Sequence, residues 1–141
     1  MSRIKIEFDA ISENEGLARV CVAAFAARLD PTLEEINDIK TAVSEAVTNS
    51  VIHGYDEKGG QIIMEASIEG RELEVSITDR GRGIENVERA MEPFYTTGSE
   101  KERSGMGFTF MEVFMDELTV QSKPGEGTVV RMKKRIGETV L

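Results

Sequence analysis

The sequence is short of the residues that build several common kinds of protein site. Its 141 residues include one cysteine, one histidine, three prolines and no tryptophan. A single thiol cannot form a disulfide within the chain, and one cysteine with one histidine cannot supply a structural zinc site. Cys21 lies in a run of small apolar residues. We therefore expect a reduced, buried thiol in a cytoplasmic protein.

Long apolar runs and an excess of positive charge are also missing. No stretch approaches the ~20 apolar residues of a membrane span, and the N-terminus alternates polar and apolar residues, unlike a signal peptide. The 26 acidic residues outnumber the 17 Lys and Arg residues, and the net charge is −9. That charge repels nucleic acid, so we expect no direct nucleic-acid partner and no membrane partner. It also repels ATP, so an ATP site would need Mg²⁺, aimed N–H groups and local cations.

Hydrophobic periodicity divides residues 1–141 into the elements of one domain. Residues 3–8 and 62–79 alternate as strands do, the second range with a hairpin turn inside it, and two shorter strands follow after residue 117. Two helices lie between the first strand and the hairpin, and a third begins at about Met106. The order βααββαββ predicts an α+β fold. We expect a two-layer sandwich whose mixed, mostly antiparallel sheet carries the helices on one face.

The first two helices each begin with the signature of a capping box. Ser12 with Glu15 predicts a helix that runs to about Leu29, and Thr32 with Glu35 predicts the second helix. The buried stripe predicted for the first helix is Leu17, Val20, Cys21, Ala24 and Phe25. The stripe predicted for the second helix is Leu33, Ile36, Ile39, Val43, Ala46, Val47 and Ser50.

The second strand of the hairpin ends on a residue that breaks its pattern. Asp79 takes the inward phase of an otherwise apolar strand, where an unpaired carboxylate costs several kcal/mol. Gly81 and Gly83 follow it and let a flat ligand approach the backbone, and the amino group of a purine would donate to the carboxylate. The alternative is that Asp79 only caps the turn of a D-x-G loop.

Glu45 and Asn49 share one face of the second helix because they are four residues apart. Asn49 offers a neutral oxygen to Mg²⁺ on a triphosphate, which needs only one or two protein ligands. Glu45 is placed to accept a proton from an attacking hydroxyl or water. The alternatives are an asparagine that hydrogen-bonds to backbone near a helix end and a glutamate in solvent.

The start of the third helix carries two glycines, Gly105 and Gly107. Free N–H groups and the positive dipole end at such a start accept phosphate, although a tight turn is the alternative. Residues 84–104 are mostly charged and predict no packed element. We expect residues 92–107 to form a mobile lid, with Arg103 near the outer phosphates when it closes. The alternative for Arg103 is a solvated charge.

Taken together and in this order, these segments resemble the nucleotide-binding boxes of the GHKL ATPase and kinase superfamily. The motifs that carry the resemblance are Glu45-x-x-x-Asn49, Asp79-x-Gly81-x-Gly83-Ile84, Gly105-x-Gly107 and Gly127-Thr128. Within that superfamily, residues 44–55 and 102–108 resemble the bacterial anti-sigma factor serine kinases. The resemblance covers nearly the whole chain, from about Phe8 to Val130.

The resemblance implies a domain that binds ATP or ADP with Mg²⁺. It implies that Asn49 holds the metal, Asp79 recognises adenine and Glu45 is the catalytic base. Together with the motifs, the resemblance assigns a set of nucleotide-binding residues. They are Asn49, Asp79, Gly81, Gly83, Ile84, Thr96, Thr97, Arg103, Ser104, Gly105, Met106, Gly107, Phe108 and Thr128.

The same resemblance implies protein partners. It implies a homodimer that binds and inhibits a sporulation sigma factor of the sigma F type and phosphorylates a serine of an anti-anti-sigma factor. Arg19, on the first helix, is a candidate for the sigma-factor surface. The resemblance does not say what Arg80 and Arg82 contact.

Three other interpretations stay open at this point. A detached histidine-kinase-type catalytic domain shares the boxes but needs a dimerising histidine helix, which we do not find here. A non-catalytic, nucleotide-gated binding module would use ATP only to set the lid and hence the affinity for a partner. The third is a structural α+β domain without a ligand.

Overall fold

The computed structural model describes residues 1–92 and 107–137. Along these ranges the elements are β1 (Ser2–Asp9), α1 (Glu13–Ala26), a 3₁₀ turn (Ala27–Leu29), α2 (Leu33–Asn49), a π-helical turn (Ser50–Gly54), β2 (Gln61–Glu69), β3 (Glu72–Asp79), α3 (Val87–Ala90), α4 (Gly107–Phe114), β4 (Glu117–Lys123) and β5 (Gly127–Arg135). The predicted order is confirmed, with the short α3 added where no packed element was expected. None of the helices in these ranges is long and apolar enough to cross a membrane.

The strands form one sheet in the order β1-β2-β3-β5-β4, and every pairing in it is antiparallel. Two helices, α1 and α2, connect β1 to β2. The chain enters β2 in the direction opposite to β1, and the two strands pair antiparallel. The passage through α4 and β4 has the same effect between β3 and β5. The predicted two-layer sandwich with a mostly antiparallel sheet is confirmed. The described strands include no parallel pair of the kind that a mixed sheet would contain.

Alternation along the strands separates an apolar inner face from a polar outer face. The inner face contributes fully buried side chains to one core shared with the helices, among them Ile62, Met64, Leu73, Val75, Ile77 and Met132. On the outer face, Glu74 pairs with Arg131 at 3.5 Å and with Lys133 at 3.8 Å. The helices therefore cover one side of the sheet, because that side carries most of the apolar surface to bury.

Helix α1 is rotated relative to the prediction. Its buried residues are Ala18, Val22, Phe25 and Ala26. Of the predicted stripe, Phe25 is buried and Cys21 packs against the core, whereas Leu17 and Val20 are 51% and 62% exposed. Ala24 is exposed as well, so the predicted stripe was wrong at three positions. The helix is apolar on more than one side, and the side that is buried includes Ala18 and Ala26. Helix α1 packs on α2, and small residues let two helices approach closely.

Only one of the two predicted capping boxes forms. Thr32 has an extended backbone, its hydroxyl accepts from Glu35 N–H at 3.0 Å, and Glu35 Oε1 accepts from Thr32 N–H at 2.9 Å. Ser12 already has helical backbone angles, and its side chain makes no capping bond. A capping side chain reaches the first turn from an extended backbone, so the prediction for Ser12 was wrong.

The predicted stripe of α2 is confirmed over most of its length. Ile39, Val43, Ala46, Val47 and Ser50 are buried, and Ile36 packs against the core. Leu33 is 77% exposed, so its inclusion was wrong. It is the first residue of the helix, beyond the part of α2 that the sheet and the other helices cover.

Candidate functional site

Three adjacent strands end in one row of polar side chains on the inner face of the sheet. Asp79 of β3 pairs with Thr128 of β5, and Thr128 pairs with Ser122 of β4. Asp79 is 4% exposed and Thr128 is 8% exposed. The next inward residues on β3 and β5, Ile77 and Val130, are apolar and buried. Polar recognition on this face is therefore concentrated at this end of the sheet.

Donors surround the carboxylate of Asp79. Its Oδ1 accepts from Gly81 N–H at 2.9 Å, its Oδ2 accepts from the Ser50 hydroxyl at 2.8 Å, and Thr128 N–H also donates to it. Burial raises the pKa of Asp79 above its ordinary value, and these hydrogen bonds oppose the rise. All three partners favour the ionised form, which keeps lone pairs for a ligand. The bond to Gly81 is the turn cap that the alternative interpretation predicted, and the adenine-binding role of Asp79 stays a prediction.

A π-helical turn brings Ser50 to Asp79. Residues Ser50–Gly54 continue α2 in a wider turn, in which Tyr55 N–H donates to the Ser50 carbonyl at 2.9 Å. A Cβ on Gly54 would lie 3.0 Å from the Asp79 carboxylate, so the turn is in close contact with the end of β3. Such turns are rare and occur often at functional sites. Helical periodicity does not reveal this one, because its residues also fit an α-helix.

The glycine loop after β3 lies directly on this turn. A Cβ on Gly81 would collide with the carbonyl oxygen of Gly54, and Gly83 has a φ of +76°, which favours glycine. Arg82 N–H donates to the Gly54 carbonyl at 2.8 Å, and Arg82 Nε donates to the His53 carbonyl at 2.6 Å. The glycine spacing thus serves the packing of one backbone segment on another.

The structure shows the contacts of Arg80 and Arg82, which the sequence did not predict. The backbone N–H of Arg80 donates to the Tyr55 hydroxyl at 2.7 Å, and that hydroxyl donates to the Gln61 carbonyl at 2.6 Å. The Arg82 side chain binds the His53 carbonyl, and its backbone N–H binds the Gly54 carbonyl. Tyr55 and Arg82 therefore hold the glycine loop to the end of the α2 segment from two sides.

Asn49 lies against the start of α4. A Cβ on Gly107 would be 3.2 Å from both Oδ1 and Nδ2 of Asn49, which is a close approach that glycine permits. The first turn of a helix presents free N–H groups and the positive end of the dipole. In that turn, Thr109 Oγ1 is buried and has no hydrogen-bond partner within the described part of the chain. A neutral amide oxygen and the positive end of a helix therefore lie together.

These residues fit a magnesium-bound adenine nucleotide. The Asp79 carboxylate can accept from an amino group, and the glycine loop lies directly beside it. Asn49 provides the single neutral oxygen that suits Mg²⁺, which takes its other ligands from phosphate and water. The two ends lie on the same side of the sheet, beside one helical segment made of α2 and its π turn.

The remaining predicted residues have the following positions. Ile84 N–H donates to Ser122 Oγ at 2.8 Å, and Phe108 packs against the core. Glu45 is partly buried on α2, one turn before Asn49. Arg19 pairs with Glu15 at 2.8 Å and reaches Ser44 Oγ at 3.4 Å. Most of the predicted lid lies outside the described residues, including Thr96, Thr97, Arg103, Ser104, Gly105 and Met106.

Three contributors to the site were missed by sequence reasoning. Ser50 was predicted to be buried but was given no role, and its fit to the apolar stripe of α2 was the available signal. Ser122 takes the inward phase after Leu118 and Val120, the same signal that identified Asp79. Tyr55 lies at the end of the range 44–55 that carries the resemblance, but its contacts could not be predicted, because its partners come from β2 and the glycine loop.

Comparisons with known proteins agree with this geometry. A family model described as a histidine kinase-like ATPase domain matches residues 8–134. Proteins named anti-sigma F factor from Thermoanaerobacter sp. (strain X514) and Clostridium acetobutylicum are each 58% identical over 134 residues, which is 95% of this chain and 94% of theirs. The anti-sigma F factor of Clostridium kluyveri is 60% identical over 131 residues, which is 93% of this chain and 92% of that protein.

The fold also matches a solved structure. The crystal structure of the RsbU and RsbW domains of Rv1364c from Mycobacterium tuberculosis superposes with a TM-score of 0.68 at 21% sequence identity. The match covers 96% of this chain and 32% of that one, and at this identity it supports the fold alone. The GHKL-type α+β fold predicted from the sequence is confirmed. The relatives compared above are named anti-sigma F factors, and the chain belongs to the histidine kinase-like ATPase domain family.

Proposed function

We propose that the chain is an anti-sigma factor that binds and inhibits a sporulation sigma factor of the sigma F type and is also an ATP-dependent serine protein kinase. The kinase substrate is an anti-anti-sigma factor, which phosphorylation inactivates. The observation that carries the proposal is the convergence of Asp79, Asn49 and Gly107 beside α2, in a chain whose relatives are named anti-sigma F factors. Sigma factors act on transcription in the cytoplasm, so we place the chain there.

The described residues bind the base at one end of the site and the metal and phosphates at the other. Asp79 accepts from the adenine amino group, and Gly81, Gly83, Ile84 and Thr128 line the base. Asn49 binds Mg²⁺, and the N–H groups of Gly107 and Phe108 face the phosphates. ATP supplies the phosphoryl group. For the lid we propose phosphate contacts from Thr96, Thr97, Arg103, Ser104, Gly105 and Met106, as the motifs and the resemblance predict.

Glu45 carries the proton transfer in this proposal. It lies on α2 one turn before Asn49, so a hydroxyl that approaches the metal end of the site meets its carboxylate. The serine oxygen bonds to the γ-phosphorus, the bond from that phosphorus to the ADP oxygen breaks, and Glu45 accepts the serine proton. Such a base is worth about 10²–10⁴ in rate.

The partner surface is assigned to α1. Arg19 is partly exposed there, and the apolar Leu17 and Val20 beside it are 51% and 62% exposed. Exposed apolar residues around a cation are typical of protein interfaces. We assign sigma-factor binding to Arg19, and we propose that the chain acts as a homodimer.

Phosphotransfer from labelled ATP to the anti-anti-sigma factor tests the proposal. Glu45→Gln should lower the transfer rate by about 10²–10⁴ and leave Mg-ATP binding unchanged. Glu34→Gln, an exposed glutamate on the first turn of the same helix, is the control and should match wild type. Transfer at the wild-type rate in Glu45→Gln would overturn the assignment of the base.

Two further measurements separate the other interpretations. Phosphoserine survives acid and phosphohistidine does not, so an acid-labile product would favour a histidine-kinase-type domain. Tight Mg-ATP binding without transfer would favour a nucleotide-gated binder.

Co-purification of a sigma F type factor in the presence of ATP, with its release by the anti-anti-sigma factor, would support the regulatory role. Arg19→Ala should weaken that co-purification.

A further inference from the structure

Ser122 is the third residue of the polar row, and its hydroxyl contacts three groups at once. It accepts from Ile84 N–H at 2.8 Å, donates to the Gly127 carbonyl at 2.8 Å, and lies 2.8 Å from Thr128 Oγ1. Through these contacts it joins the end of the glycine loop to the start of β5. The partners come from three segments of the chain, so the contacts depend on the tertiary fold.

The number of hydrogens on these groups decides the direction of the Ser122–Thr128 bond. A serine hydroxyl has one hydrogen, and a carbonyl oxygen can only accept. If Ser122 donated to Thr128, its oxygen and the Gly127 carbonyl would face each other at 2.8 Å without a hydrogen between them. Ser122 therefore donates to Gly127, and Thr128 donates its own hydrogen to Ser122. Because that hydrogen is used, the Thr128 oxygen offers only lone pairs to any other group.

Thr128 and Asp79 consequently form a pair of neighbouring acceptors. They are direct cross-strand partners, and every hydrogen bond identified at the Asp79 carboxylate is donated to it. Adenine brings an amino group to such a pair. A 6-oxopurine has a carbonyl at the same position, and two acceptors with no hydrogen between them repel it.

We propose that Ser122 is a positioning residue that fixes Thr128 as an acceptor and so contributes to the selection of adenine over 6-oxopurines. The inference rests on the proposed function, because it assumes that the base of ATP lies against Asp79 and Thr128. Without the Ser122 oxygen, the Thr128 hydroxyl is free to turn its hydrogen toward the base. It then offers a donor to the carbonyl of a 6-oxopurine.

Binding of Mg-ATP and Mg-ITP to the full chain, measured by calorimetry, tests this role. Wild type should prefer Mg-ATP, and Ser122→Ala should narrow the ratio of the two dissociation constants by about tenfold. If the role of Ser122 were purely structural, loss of its bond to Ile84 would weaken the binding of both nucleotides by the same factor. The ratio of the dissociation constants would then stay unchanged. Thr119→Ala, on the outer face of the same strand, is the control and should keep the wild-type ratio.

A second variant carries the test if Ser122→Ala does not fold. Thr128→Val removes the acceptor itself and should also narrow the ratio. Where Ser122→Ala does fold, adding it to Thr128→Val should narrow the ratio no further, because there is no hydroxyl left to reorient. Independent effects of the two substitutions would overturn the inference.

The outcomes also separate this inference from the proposed function. If wild type binds Mg-ATP and the ratio does not change in Ser122→Ala or Thr128→Val, the role of Ser122 is wrong and the nucleotide site stands. If wild type binds neither nucleotide, the proposed function fails and the inference fails with it.

Discussion

The Ser50 hydroxyl donates a 2.8 Å hydrogen bond to Asp79 Oδ2, between residues that are 29 positions apart in the sequence. Both groups are buried, so the bond is protected from competition with water. It joins the π turn at the end of α2 to the end of β3. This bond therefore fixes the segment that follows Asn49 against the segment that carries Asp79. The proposed base-binding end of the site is thus already arranged without a ligand.

The burial of Asp79 predicts a specific pH dependence of stability. Its pKa in the fold is raised above the ordinary value of 3.8. Between 3.8 and the raised value, the folded state binds more protons than the unfolded state, so Asp79 adds stability as pH falls through that window. Asp79→Asn cannot ionise and should lose this contribution. Urea unfolding from neutral pH down to about 4 measures the difference.

The control for that experiment is Asp30→Asn. Asp30 is exposed with a φ of 55°, a conformation that asparagine also adopts readily, so its substitution should leave the fold unchanged. A profile for Asp79→Asn that parallels wild type would contradict the expectation. The same substitution should weaken Mg-ATP by about tenfold or more, because the amide places a donor where the base needs an acceptor.

Asn49→Ala should remove the magnesium dependence of nucleotide binding. We expect the affinity for Mg-ATP to fall by about tenfold or more, while binding in EDTA changes little, because the role proposed for Asn49 is that of a metal ligand. Calorimetry with and without Mg²⁺ measures both values. Asn37→Ala on the exposed side of the same helix is the matched control. An equal loss in EDTA would show that Asn49 acts by packing against α4.

The two predicted capping boxes give a paired test of stability. Thr32→Ala removes a cap that forms and should lower the free energy of unfolding by about 1 kcal/mol. Ser12→Ala removes a side chain that caps nothing and should change it by less than about 0.5 kcal/mol. Chemical denaturation of both variants checks the difference, and equal effects would be inconsistent with the structure.

Two glycines give a second matched pair. Gly81→Ala places a Cβ against the Gly54 carbonyl and should destabilise the fold by roughly 1–3 kcal/mol. In Gly16→Ala the nearest atom is Arg19 Nη2 at 3.8 Å, and alanine favours the helix by about 0.5–1 kcal/mol. The melting temperatures should therefore move in opposite directions. A stable Gly81→Ala would show that the glycine loop can move away from the π turn.

Much of the fold follows from local pattern. The alternation of β2 and β3, the start of α2 at Thr32 and the place of Glu45 and Asn49 on α2 could all be predicted, because each depends on residues close in sequence. The side of α1 that is buried could not be predicted. Two sides of that helix are apolar, and the choice between them depends on which side α2 can approach.

The candidate site divides in the same way. Asp79 was found because a carboxylate in an inward phase is anomalous in any strand of this kind. Ser122 has the same phase, but a serine there is less anomalous, and its importance comes from the hydrogen bonds that it shares with Ile84, Gly127 and Thr128.

The sequence by itself determined which elements form and which chemistry they carry, since periodicity, caps and glycine spacing act over a few residues. Only the tertiary structure decided the π turn, the contact of Asn49 with the start of α4, and the direction of the hydrogen bonds along the polar row. Those features depend on the distance between segments that are far apart in the chain. Local propensity contains no information about such distances, whereas burial in a single packed core determines them.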